Sequence, residues 1–120
     1  VTDEADASVR DRLFERLMAR FDAMRPWREA IRRLAVDARR DPGLAAFFAL
    51  KSPQSIARIA EASGVDIGGL TGAIRVRALD VQYLRAVRTW LDDDSEDMAA
   101  TMKALDGLLA SAFFDELSRR

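Results

Sequence analysis

The sequence predicts an all-α fold: an antiparallel bundle of about six helices forming a single domain over residues 1–120. Three observations carry this reading. Apolar residues recur at spacings of three and four, and the alternation that marks strands is missing. Proline punctuates the chain at Arg25-Pro26, Asp41-Pro42 and Ser52-Pro53, where one helix should end and another begin. Four of the six glycines fall in "GVDIGGLTG", residues 64–72, which reads as a glycine helix stop followed by a flexible link.

The first helix is expected from about Asp6 to Met24, with Val9, Leu13, Leu17, Phe21 and Met24 as its apolar stripe and Phe14 and Met18 beside it. Pro26 suits the first turn of a second helix, Pro26 to Arg40, whose buried side would be Trp27, Ile31, Leu34 and Ala38. A third helix, opened by Asp41-Pro42 and reaching about Leu50, carries Phe47 and Phe48. Ser52-Pro53 opens a fourth that ends near Gly64. The fifth, about Thr71 to Leu91, and the sixth, about Ser95 to Ser118, are long.

Five of the six residues from Asp92 to Asp97 are acidic. A calcium loop needs carboxylates at alternate positions, a central glycine and a terminal glutamate, and none of that is present. Acids do stabilise a helix N-terminus, by roughly 0.3–1 kcal/mol each, because its N–H groups are unpaired and carry partial positive charge. The run therefore reads as the turn into the sixth helix, with Asp94 or Ser95 as N-cap, and the two long helices lie antiparallel.

Composition excludes several chemistries. Histidine and cysteine are both absent, which removes the commonest metal ligand, the commonest general base and the thiolate nucleophile. No carboxylate pair stands at catalytic spacing, so the chain is read as a non-enzyme without metal or cofactor. The glycine-rich stretch has no strand before it and no Gly-Lys-Ser/Thr after it, so it is not a phosphate loop. Net charge is −1, giving no overall field toward nucleic acid. The ten arginines of the first forty residues are interleaved with eight acids. No apolar run approaches the roughly 18 residues of a membrane span, and a cytoplasmic location is expected. The first residue is Val1, so a piece of a longer protein is expected.

Both long helices carry two apolar or small faces. In the fifth, Leu70, Ile74, Arg77, Val81, Leu84, Arg88 and Leu91 form one stripe, and Val76, Asp80, Tyr83, Val87 and Trp90 form another. In the sixth, Met98, Met102, Leu105, Leu109 and Ala112 should face the core, opposite Ala100, Ala104, Gly107, Ser111 and Phe114. One helix needs one buried face. The second faces predict a homodimer built as an intersubunit four-helix bundle, with Ile74, Arg77, Val81, Leu84, Arg88, Ala100, Ala104, Gly107, Ser111 and Phe114 at the interface. Asp80 interrupts an apolar stripe and must be paired. It either meets an arginine from another helix or, with Tyr83, orients a ligand in a cavity walled by Phe47, Phe48, Val87 and Trp90.

The stretches "VRDRLFERLMARFDAMRPWREAIRRLA" and "YLRAVRTWLDDDSEDMAATMKALDGLLASAF" resemble the C-terminal regulatory domain of TetR-family transcriptional regulators. The resemblance spans roughly residues 8 to 117. It implies a small-molecule pocket for an apolar or amphipathic ligand and a homodimer made by the last two helices. It also implies that operator DNA is bound only through an N-terminal helix-turn-helix domain, which this sequence lacks, and that ligand binding relieves repression. A second resemblance, carried by Val9 to Leu13 and Trp90 to Asp97, is to ubiquinone-biosynthesis accessory proteins with a TetR-like fold, which implies a lipid or isoprenoid ligand instead. Their long amphipathic helix has no counterpart after Phe114.

Overall fold

The computed structural model describes residues 2–118, and side chains over residues 8–111. Helix α1 spans Thr2–Met24 and passes through a 3-10 turn, Arg25–Trp27, into α2, Arg28–Arg40. Then come α3, Pro42–Ser63, α4, Gly69–Leu91, and α5, Ala99–Ser118. The described residues contain no strand, so the fold is all-α.

The core lies where α1, α3, α4 and α5 meet. Leu13, Leu17 and Phe21 of α1 pack with Ile56 and Ala60 of α3, with Val76, Leu79, Tyr83, Ala86 and Trp90 of α4, and with Leu105 and Leu109 of α5. This is the stripe the spacing of α1 predicts. Phe21 sits at its centre, stacked on Tyr83 at 5.5 Å between centroids and tilted against Trp90 at 5.6 Å. Such aromatic contacts are worth about 0.5–1.5 kcal/mol beyond the area they bury. The most extensive helix pair is α4 with α5.

Among the described residues five α-helices form where six were expected, because residues 42–63 make one helix with Pro53 inside it. The two X-Pro steps differ in what their side chains do. Asp41 is extended, and its Oδ1 accepts from the backbone N–H groups of Gly43 at 3.0 Å and Leu44 at 3.2 Å, so it caps α3. The Ser52 hydroxyl instead donates to Asp80 Oδ1 of α4 at 2.6 Å, so it does not cap a new helix. The chain continues through Pro53, which lacks the N–H for one helical hydrogen bond. Gly64 then ends α3 in the left-handed region, φ 101°.

Helix α4 begins at Gly69, two residues before the predicted start, and α5 begins at Ala99 rather than Ser95. The acidic run does cap α5, but through residues other than Asp94. Asp93 is the pivot. Its Oδ2 accepts from Thr101 N at 2.9 Å and Thr101 Oγ1 at 2.6 Å, while its Oδ1 accepts from the Ser95 amide at 3.0 Å and from the Ser95 hydroxyl. The Ala99 amide donates to Ser95 Oγ at 3.1 Å and Asp97 Oδ1 at 3.2 Å. Met98 turns the chain into the helix with φ 55° and drops its side chain into the core. Burial alone would push the Asp93 carboxyl up; the Ser95 and Thr101 hydroxyls and amides outweigh it and hold the group below the usual carboxylate range.

Three predicted core residues lie outside. Met102 is exposed and Thr101 is buried in its place, because the Asp93 bonds turn Thr101 inward. Trp27 and Leu34 are exposed as well, while Ile31 and Ala38 of the same stripe are partly buried and Ile31 packs against the core.

Candidate functional site

Helix α4 presents its two stripes to different environments. Val76, Leu79, Asp80, Tyr83, Ala86 and Trp90 are buried. The other stripe faces outward: Leu70 is 80% exposed, Ile74 51%, Leu84 46% and Val81 42%, with Arg77 and Arg88 exposed between them. Beside it, the small side of α5 is open. Ala100, Gly107 and Ser111 are exposed and Ala104 is partly buried. A Cβ placed on Gly107 would meet nothing within 4 Å. Glycine inside a helix costs about 1 kcal/mol against alanine, and no contact among the described residues explains it. Phe114 lies outside the residues whose side chains are described.

Asp80 and Tyr83, the polar residues in the middle of the inner stripe, are both hydrogen-bonded. Asp80 pairs with Ser52, and it forms no ion pair among the described residues, so the expected arginine partner is replaced by a hydroxyl. Two turns from Leu13, Arg20 comes off α1 toward Tyr83. Its Nε donates to Tyr83 Oη at 2.9 Å, its guanidinium lies 5.3 Å from the ring centroid, and its Nη1 donates to Ser55 Oγ. The Tyr83 hydroxyl in turn donates to Met24 Sδ at 4.0 Å. Burial raises the Tyr83 pKa; the Arg20 charge and hydrogen bond pull it back in part, and the Asp80 charge adds to the rise. At neutral pH Tyr83 is therefore a neutral phenol that both donates and accepts.

The structure brings Asp80, Tyr83, Val87 and Trp90 to the inner side of α4 but leaves Phe47 and Phe48 out. Both phenylalanines are exposed and outside the core cluster, touching each other edge to face at 5.7 Å. Trp90 is fully buried, with Arg28 stacked 4.8 Å from its ring centroid. Trp90 Nε1 and Arg28 Nε and Nη2 are buried without a hydrogen-bond partner, which marks this edge of the core as polar but unsatisfied. An open groove between α1 and α3 is lined by Arg16, Ala19, Arg20, Arg58, Ile59 and Ala62. Among the described residues, no cluster of acids has the arrangement of a metal site.

Two features escaped sequence reasoning. Ser52 is the partner of Asp80 and lies 28 positions away, with nothing in the local pattern to join them. Asp93 is one acid among five, and only its position relative to Thr101 sets it apart. Compared with protein-family models, curated proteins and solved structures, the chain gives no match in any of the three.

Proposed function

We propose that the chain is a homodimerising, ligand-sensing domain of a TetR-like transcriptional repressor, pairing through α4 and α5. The observation that carries the reading is the outward stripe of α4, where four large aliphatic side chains stand in solvent along one line beside the open small-residue side of α5. A 23-residue helix is about 35 Å long, enough for two crossed hairpins to bury an interface on the order of 1,200–2,000 Å². Arg77 and Arg88 would form its polar rim. The small α5 residues would let the partner helix approach closely, which supplies the packing reason for Gly107.

In this reading a small apolar or amphipathic molecule enters beside Asp80 and Tyr83, displacing Ser52 or Arg20 from them. Both groups sit on the helix that pairs, so such a displacement would be felt at the two-fold axis. Operator DNA would be bound by an upstream helix-turn-helix segment of the kind the family carries. Analytical ultracentrifugation at micromolar concentration tests the pairing. The wild type is expected to sediment as a dimer, and Val81→Glu with Leu84→Glu is expected to weaken it about hundredfold or more, because two carboxylates would be desolvated on each side. Gly107→Ala separates the alternatives further. On a solvated face it should raise stability by about 1 kcal/mol; at a close helix crossing it should weaken the dimer instead. A monomeric wild type would sink the proposal. Failure of the full-length protein to retard its own promoter region at low salt would sink the regulatory part alone.

A further inference from the structure

Helix α2 is the most sharply amphipathic helix of the chain, yet none of its residues is fully buried, and of its large apolar side chains Ile31 is the one partly packed against the core. Its other anchors to the rest of the fold are cations. Arg28 lies over Trp90, and Arg32 donates to the Leu91 carbonyl and pairs with Glu29. The remainder of the apolar side is left out, with Trp27 65% exposed and Leu34 exposed beyond it. After the Asp41 cap, α3 opens with Phe47, Phe48 and Leu50, all exposed, Leu50 by 71%.

Charge accompanies this apolar surface. Residues 25–51 hold seven cations and three acids, a net +4 in a chain whose total is −1. Arg33, Arg39, Arg40 and Lys51 are exposed and make no ion pair among the described residues. The acids are largely committed: Glu29 to Arg32, and Asp41 to capping α3. Two copies meeting through this surface would bring like charges together. Nucleic acid would satisfy the arginines and leave Leu34, Val36 and Leu50 in water. A surface that takes aromatic and aliphatic groups and offers negative charge at the same depth is an anionic bilayer, and an amphipathic helix rich in arginine on one side with tryptophan and leucine on the other suits its headgroup boundary. No helix among the described residues is long and apolar enough to cross a membrane, so attachment would be at the surface.

We propose that the α2–α3 hairpin docks on an anionic lipid bilayer. Trp27, Phe47 and Leu50 enter the boundary between headgroups and acyl chains, and the four free cations meet the lipid phosphates. The proposal stands apart from the dimer, which uses α4 and α5.

Tryptophan fluorescence tests it directly. The chain has two tryptophans, and Trp90 is already buried, so a change on adding vesicles reads Trp27. Mixed phosphatidylcholine–phosphatidylglycerol vesicles at low salt are expected to shift the emission to the blue and to sediment with the protein; pure phosphatidylcholine vesicles are expected to do neither. Arg39→Glu with Arg40→Glu should weaken vesicle binding about tenfold or more, because roughly a factor of five rides on each basic residue at such a surface. Leu50→Ser, which leaves both tryptophans and all charges in place, should weaken it severalfold. All these side chains are exposed, and unchanged circular dichroism would confirm that the variants fold. Absence of binding to mixed vesicles overturns the proposal. So does equal binding to neutral vesicles, binding indifferent to both variants, or a change of oligomeric state in Leu50→Ser without vesicle binding.

Discussion

Gly72→Ala is expected to lower the unfolding free energy by about 3 kcal/mol or more, at the upper end of what overpacking costs. Gly72 lies in the first turn of α4 and is buried under the loop that leads into it. A Cβ there would stand 2.0 Å from the Ile67 carbonyl carbon and 2.1 Å from its oxygen. Both sides of this contact are backbone, so no rotamer change relieves it. Ile67 is itself packed against the core, and moving it away would cost apolar contacts as well. Urea denaturation of the two proteins measures the difference. A loss under about 1 kcal/mol would mean that the loop over residues 65–68 shifts freely and that its packing contributes little.

The second large effect centres on Asp93. Asp93→Ala removes four hydrogen bonds to a charged acceptor and leaves the buried Thr101 hydroxyl without its partner. Bonds to charged groups are worth about 1.5–3 kcal/mol each taken alone, and they overlap here, so a loss of about 3 kcal/mol is expected. Asp93→Asn keeps the shape and one good acceptor and should lose less. The pH dependence follows from the depressed folded-state pKa. The group's stabilising contribution is fully present above the unfolded carboxylate value of about 3.9, and it is lost as pH falls below that toward the lower folded value. In Asp93→Asn, the part of the acid unfolding curve below about pH 4 should flatten. A curve parallel to the wild type would show that other carboxylates carry the acid sensitivity.

Much of the architecture was legible because it rests on periodicity. The stripe of α1 and the split of α4 into two faces both follow from spacings of three and four, and the buried or exposed state of Leu13, Phe21, Tyr83 and Trp90 agrees with it. What was not legible depends on partners distant in the chain. Ser52-Pro53 and Asp41-Pro42 look alike in sequence, yet only the first has a carboxylate from α4 beside its hydroxyl, and that contact merges two expected helices into one. Thr101 replaces Met102 in the core for a similar reason: local hydrophobicity favours the methionine, but a buried carboxylate sets the rotation of the first turn. For α2 the pattern was right but only half of the stripe is covered: Ile31 and Ala38 are partly buried, Trp27 and Leu34 are not. Periodicity locates an apolar face without saying whether anything in the same chain covers it, and Trp27 is left uncovered.

The knot around Asp93 also bears on the order in which the molecule assembles. Helices α4 and α5 form the most extensive pair and are neighbours in the chain, joined over residues 92–98, so closing them costs little loop entropy. A low-contact-order hairpin of this kind is the natural folding nucleus, on which α1 and α3 condense later. Loosening Asp93 should therefore slow refolding more than it hastens unfolding, whereas a change at Ile56, in a helix that docks afterwards, should do the reverse.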